Sequence, residues 1–121
     1  MILKGKVTKG LGTAKMWVSK IEEVFRKKTG TKLFPGTLNI RLEDEYIIEP
    51  DWIIEPEKYK GTQRVFIIKC EILGNVANIV RAEKNQIGKG DHDLHIIEII
   101  SDINFREKYN LKDDECIEIK I

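Results

Sequence analysis

The amino-acid sequence predicts a mainly β fold, a small barrel of about six strands with two short helices. Twenty of the 121 residues are isoleucine, and β-branched side chains favour a pleated, half-buried surface over a helix. Several stretches alternate apolar with polar residues, which is the period of a strand with one solvated face. Only two stretches carry helix-start signals. Leu3 to Thr8 sets Leu3, Gly5 and Val7 against Lys4, Lys6 and Thr8, and it runs into the glycine turn Gly10-Leu11-Gly12. A short extended piece around Met16 to Val18 leads to Ser19 and Glu22, a capping-box pair. That pair predicts a helix of about ten residues with Ile21, Val24 and Phe25 on one face and Gly30 as its stop. After the turn Pro35-Gly36, Thr37 to Leu42 alternates strictly, with Leu38, Ile40 and Leu42 inward and Thr37, Asn39 and Arg41 on the opposite face. Residues 43 to 63 hold Pro50, Pro56 and many acidic side chains, so they read as a long connection with one short strand. Arg64 to Leu73 and Val76 to Ala82 flank Gly74-Asn75, a β-hairpin signal. Glu83 to His92 reads as a mobile polar loop. Leu94 to Ser101, with Ile96-Ile97-Glu98-Ile99-Ile100, is apolar on both faces, as in a fully covered strand. Asn104 and Glu107 start a second short helix, and Leu111 to Ile121 closes the chain with a turn at Asp113-Asp114 and a strand whose apolar positions are Cys116, Ile117, Ile119 and Ile121.

Length and charge bound the function. A chain of 121 residues reads as one domain, residues 1–121, with room for one core and no second substrate domain. Cys70 and Cys116 sit in apolar alternating stretches outside any metal-ligand spacing, so both are expected to be reduced core thiols. No apolar run reaches the roughly 18 residues of a membrane span, and Met1 to Thr8 lacks a signal-peptide stretch; a cytoplasmic protein without membrane association is expected. A net charge of +1 argues against a protein that coats nucleic acid, but it leaves room for a phosphorylated small ligand held by a few local donors.

Four features suit chemistry. Gly10-Leu11-Gly12-Thr13-Ala14-Lys15 combines backbone N–H groups free to converge with a hydroxyl and a cation, which suits phosphate oxygens; a plain chain reversal is the alternative. Strand alternation aims the Thr37 hydroxyl and the Asn39 amide oxygen the same way. These are two hard, neutral oxygens suited to a magnesium ion that already carries substrate phosphates, or simply an exposed strand face. Glu98 is the one ionisable residue in an isoleucine run, so it must reach solvent, a partner or a ligand. Partial desolvation would favour its neutral form and make it a proton acceptor near neutral pH, and pairing with a lysine at a strand edge is the alternative. Asp91-His92-Asp93-Leu94-His95 offers four potential metal ligands in a glycine-flanked loop, where such clusters are usually solvated.

In order, GLGTAK (Gly10 to Lys15), a helix, PGTLNIRL (Pro35 to Leu42), IIEII (Ile96 to Ile100) and FREKYNLKDDECIEI (Phe105 to Ile119) resemble the CTP-dependent riboflavin kinases over nearly the whole chain. The resemblance implies a six-stranded cradle-loop (RIFT-like) β-barrel that transfers the γ-phosphoryl of CTP to the terminal ribityl hydroxyl of riboflavin, giving FMN and CDP. It implies nucleotide binding by Gly10, Leu11, Gly12, Thr13, Ala14 and Lys15 and by Ile103, Asn104, Phe105 and Arg106. It also implies Mg2+ ligation by Thr37 and Asn39 and flavin contact and proton acceptance by Glu98; a monomer or weak homodimer is expected. The chain departs from the family pattern in three places. Ala14 stands where a further glycine is common, Glu83 to Asp93 replaces a shorter segment with a flavin-contacting threonine, and Asp102 replaces a proline. A non-catalytic barrel that binds a nucleotide, a flavin or DNA is the second reading.

Overall fold

Among the described residues, seven strands form one antiparallel sheet that closes on itself. The computed structural model describes residues 1–10, 12 and 14–121. Its strands are β1 (Ile2–Thr8), β2 (Leu38–Leu42), β3 (Trp52–Ile54), β4 (Val65–Ile72), β5 (Asn75–Ala82), β6 (Ile96–Ile100) and β7 (Cys116–Lys120); its helices are α1 (Ala14–Thr29), α2 (Pro56–Tyr59), α3 (Glu83–Gln86) and α4 (Phe105–Lys108). The order β4-β5-β6-β2-β1-β7 returns to β4 through the pairs Glu71 with Lys120 and Ile72 with Ile119, and β3 is added on the free side of β4. Six strands thus make the expected barrel, and the expected short strand in the 43–63 connection is the extra one.

Two apolar layers follow from the period-two alternation. Val7, Ile40, Ile79, Ile97 and Ile119 fill the barrel interior and are all at most 1% exposed. On the outer wall, Val18, Ile21 and Phe25 of α1 pack on Ile67, Val80 and Ile100. Their spacing places them on one helical face, and each contributes about 1.5–3 kcal/mol by leaving water. This double covering is why β6 carries isoleucine on both faces. Gly5 on β1 allows the strands to pack closely, since a Cβ there would lie 2.5 Å from the Arg41 carbonyl oxygen.

Several local expectations need correction. The first helix begins at Ala14, not after Ser19, and runs for 16 residues, so the piece from Met16 to Val18 is helical. The Ser19 hydroxyl caps nothing and instead donates to the Met16 carbonyl at 2.7 Å. Gly30, at φ 75°, does end the helix, its N–H donating to the Arg26 carbonyl. The hairpin turn is Leu73-Gly74, one residue earlier than expected. Ile72 pairs with Asn75, Leu73 and Gly74 both have positive φ, and the Asn75 amide donates to the Leu73 carbonyl at 2.8 Å. The segment from Glu83 begins as the helical turn α3 rather than as loop, and α2 adds a further turn, so there are four helices rather than two among the described residues. Cys116 faces outward and is exposed, whereas Cys70 is buried and its thiol is pushed up to about 12 by burial. Asn104 behaves as read, its side chain accepting from the Glu107 N–H at 3.2 Å.

Candidate active site

The outer wall of the barrel loses its apolar cover where α1 begins. There β2 and β6 pair Asn39 with Glu98, and β1 pairs Thr8 with Asn39. Alternation therefore brings Thr37, Asn39 and Glu98 to one patch of the outer face. The Asn39 amide nitrogen donates to Thr37 Oγ1 at 3.1 Å, and that hydroxyl donates to Glu98 Oε1 at 3.2 Å. Asn39 is 5% exposed, yet its Oδ1 has no hydrogen-bond partner among the described residues. A buried carbonyl oxygen left bare costs about 1–3 kcal/mol, so the arrangement suits a ligand that this oxygen meets. Two neutral hard oxygens, with no other protein charge in the pair, match a magnesium ion whose further ligands are phosphate oxygens. Their donor chemistry suits that ion.

Burial pushes the Glu98 carboxyl above its ordinary value; His92, the Thr37 hydroxyl and the Arg81 guanidinium act in the other direction. A carboxylate poised this way accepts a proton more readily than an exposed one. A cavity of about 300 Å3 opens on one side, lined by Glu98 together with Ala14 and Trp17 of α1, Lys84 and Asn85 of α3, and His92. On the other side a cavity of about 170 Å3 is lined by Thr37, Phe34, Ile103, Asn104, Phe105 and Arg106. The Thr37–Glu98 hydrogen bond lies between the two.

Of the two segments expected to meet a nucleotide, the second is tied to the end of β1, just before the first. Arg106 donates to the Thr8 carbonyl at 2.9 Å and pairs with Asp113 at 2.7 Å, so its charge is partly spent within the protein. Gly10 lies against the Asn39 amide, and a Cβ there would be 2.6 Å from Asn39 Nδ2. Leu11 and Thr13 lie outside the described residues. Ala14 and Lys15 begin the 16-residue helix α1, whose first turn holds no acidic residue to oppose an anion at its positive end. Phe105 is buried in the barrel core as well as lining the smaller cavity.

The loop cluster Asp91 to His95 does not converge on a metal. Asp93 pairs with Arg41 at 3.4 Å and accepts from the His95 N–H, and the His95 ring donates to the Leu42 carbonyl at 3.1 Å. No group of three or more His, Cys, Asp or Glu side chains is gathered for a metal among the described residues. Sequence reasoning missed Arg81. It is 2% exposed, and its guanidinium donates to the carbonyls of Tyr46, Leu94 and Ile96 and to Gln86 Oε1. Burial lowers its pKa, with Tyr46, Asp93 and Glu98 acting against that. Gln86 in turn brackets the backbone of Ile48, so one cation fixes three chain segments beside β6. Its only sequence signal is a charge ending an alternating strand, which reads as solvated.

Fold and cavities together define a closed six-stranded antiparallel β-barrel with two cavities on either side of one polar centre. The family model for the CTP-dependent riboflavin kinases, described as a domain of unknown function (DUF120), matches residues 7–121. The chain belongs to that family. It is 34% identical to a riboflavin kinase from Staphylothermus marinus, over 98% of this chain and 90% of that protein. It is 31% identical to one from Sulfurisphaera tokodaii, over 98% and 93%. A riboflavin kinase from Methanocella arvoryzae is 31% identical over 99% of this chain, which spans 56% of that relative. No helix among the described residues is long and apolar enough to cross a membrane.

Proposed function

We propose that this protein phosphorylates riboflavin with CTP, giving FMN and CDP. The observation that supports this most directly is the bare, buried Oδ1 of Asn39, hydrogen-bonded through its amide to Thr37 and onward to Glu98. In this reading the nucleotide occupies the smaller cavity along Ile103 to Arg106. Its phosphates reach the Gly10 to Lys15 segment and the α1 N-terminus, and the acceptor enters the larger cavity. Thr37 and Asn39 would hold a magnesium ion, which when bound supplies charge neutralisation for the phosphates. Thr37 orients the Glu98 carboxylate, which takes the proton of the terminal ribityl hydroxyl as its oxygen bonds to the γ-phosphorus and the bond to the β-phosphate bridging oxygen breaks, releasing CDP. Phosphoryl transfer asks the protein mainly for positioning and charge stabilisation, and this cluster offers both.

The test is to incubate purified protein with riboflavin, magnesium and CTP, ATP or GTP and to separate flavins by chromatography. FMN formed with CTP in preference to the others is expected. Absence of FMN with every nucleotide, while a control kinase works under the same conditions, overturns the proposal. Size-exclusion chromatography with light scattering should show a monomer or a weak dimer, because the site needs no residue from a second copy.

A further inference from the structure

The larger cavity has a wall that the chemistry above does not use. Trp17 is half-buried; part of its ring rests on the outer apolar cluster with Val18 and Ile21, and it also lines the cavity that holds Glu98. One turn earlier α1 carries Ala14, whose small side chain leaves the indole uncovered on that side. Around it stand polar groups on a framework already held together. The Lys84 N–H donates to Gln63 Oε1 at 2.9 Å, the Lys89 N–H donates to the Lys84 carbonyl at 2.8 Å, and the His92 N–H donates to Asn85 Oδ1 at 3.2 Å. The cavity therefore sets one flat apolar wall against a polar rim in which the Lys84 and Lys89 side chains and the His92 ring stand beside the Asp91 and Glu98 carboxyls, which suits a planar heteroaromatic ring bearing both acceptors and donors along one edge.

We propose that Trp17 is the stacking wall for the ring system of the acceptor, with Lys84, Lys89 and His92 meeting its polar edge, so that Trp17 sets specificity for a flat acceptor. This rests on the riboflavin kinase reading and adds the residue that recognises the ring. The second tryptophan offers a built-in comparison: Trp52 lies against Phe25, with ring centroids 5.9 Å apart, and under the Lys28 ammonium at 4.8 Å. It does not line this cavity.

The experiment is a titration of riboflavin, without nucleotide, followed by flavin emission under visible excitation, in wild-type, Trp17→Phe, Trp17→Ala and Trp52→Phe proteins. A stacked indole quenches flavin emission by electron donation at contact, and a phenyl ring does not. Saturable quenching is expected in the wild type and in Trp52→Phe. It should be lost in Trp17→Phe, with affinity weakened roughly tenfold or more in Trp17→Ala, the scale of losing one aromatic stack. CTP·Mg thermal stabilisation should be the same in the wild type and Trp17→Phe, which also reports that the variant is folded. Equal quenching in wild type and Trp17→Phe overturns the role of Trp17 while leaving the kinase reading intact. Failure of the wild type to bind riboflavin at all overturns the reading itself.

Discussion

Gly10→Ala tests whether the glycine segment and the strand oxygens form one unit. A Cβ on Gly10 would lie 2.6 Å from Nδ2 and 3.2 Å from Cγ of Asn39, too close for either group to stay where it is. The backbone is not the obstacle, because Gly10 is not among the positive-φ glycines and alanine suits its conformation. Asn39 is 5% exposed and already bonded to Thr37, so it has little room to give, and overpacking of this kind costs about 1–3 kcal/mol. With an unfolding entropy of about 2.1 cal/mol/K per residue over 121 residues, each kcal/mol moves Tm by about 4 °C. The expected loss is therefore about 4–12 °C. The assay is a double-mutant cycle by urea unfolding with Asn39→Ala, which removes the atoms that the new methyl would strike. In that background Gly10→Ala should cost less than about 0.5 kcal/mol, giving a coupling of about 0.5 kcal/mol or more. An equal loss in both backgrounds, or no loss in the native one, would refute the contact and with it the unity of the two segments.

Glu98→Gln is expected to lower FMN formation by about 10²–10⁴-fold, the usual contribution of a general base, while CTP-induced thermal stabilisation is unchanged; an unchanged rate would remove Glu98 from the reaction. The same variant tests the pH linkage. Because burial raises the native carboxyl pKa above the unfolded value, the native state holds the proton more tightly, and stability falls as pH rises between the two values. Glu98→Gln should thus gain stability relative to wild type above that interval and lose the advantage below it, as followed by Tm across pH; a pH-independent difference would contradict the shift. Arg81→Lys should lower Tm by about 8 °C or more, since about 2 kcal/mol or more is lost when a buried charged donor no longer reaches its acceptors; a smaller drop by calorimetry would mean that water replaces the guanidinium. In native protein one thiol, Cys116, should react rapidly with a disulfide reagent and Cys70 only on unfolding; two fast thiols would show that the barrel opens.

How much of this was legible follows from the physics of each element. Period-two alternation placed Thr37 and Asn39 correctly because a strand needs only its neighbours to decide which way a side chain points, and pairing Asn39 with Glu98 then sets beside them the one ionisable residue of an isoleucine run. The start of α1 was misread because its first turn holds no acidic residue to mark it, while Ser19 imitates a cap by bonding back to Met16. Cys116 was placed in the core because it adjoins Ile117, although alternation from Ile117, Ile119 and Ile121 puts it outside. Arg81 was illegible for a different reason. Its acceptors come from residues 46, 86, 94 and 96, and no local pattern announces a cation satisfied by three distant segments.

The position of the α1 N-terminus decides why the chemistry sits on the outside of an isoleucine barrel. The interior is filled by Val7, Ile40, Ile79, Ile97 and Ile119, which leaves no room there for an ionised group. The outer wall is equally apolar wherever Val18, Ile21 and Phe25 cover it, as they cover Ile100. Glu98, two residues from Ile100 on the same face of β6, escapes that cover because the apolar contacts of α1 end at Trp17 and Val18. One more apolar turn at the start of the helix would bury the carboxylate against hydrocarbon and close the larger cavity. Instead the chain carries Ala14 and, before it, Gly12 at φ 82°, residues that take little space, and the first turn of α1 holds no acidic residue. The boundary between hydrophobic packing and a polar centre is thus drawn by where one helix begins, and in the proposed kinase reading a chain with a net charge of +1 would meet a polyphosphate there with local donors rather than a basic surface.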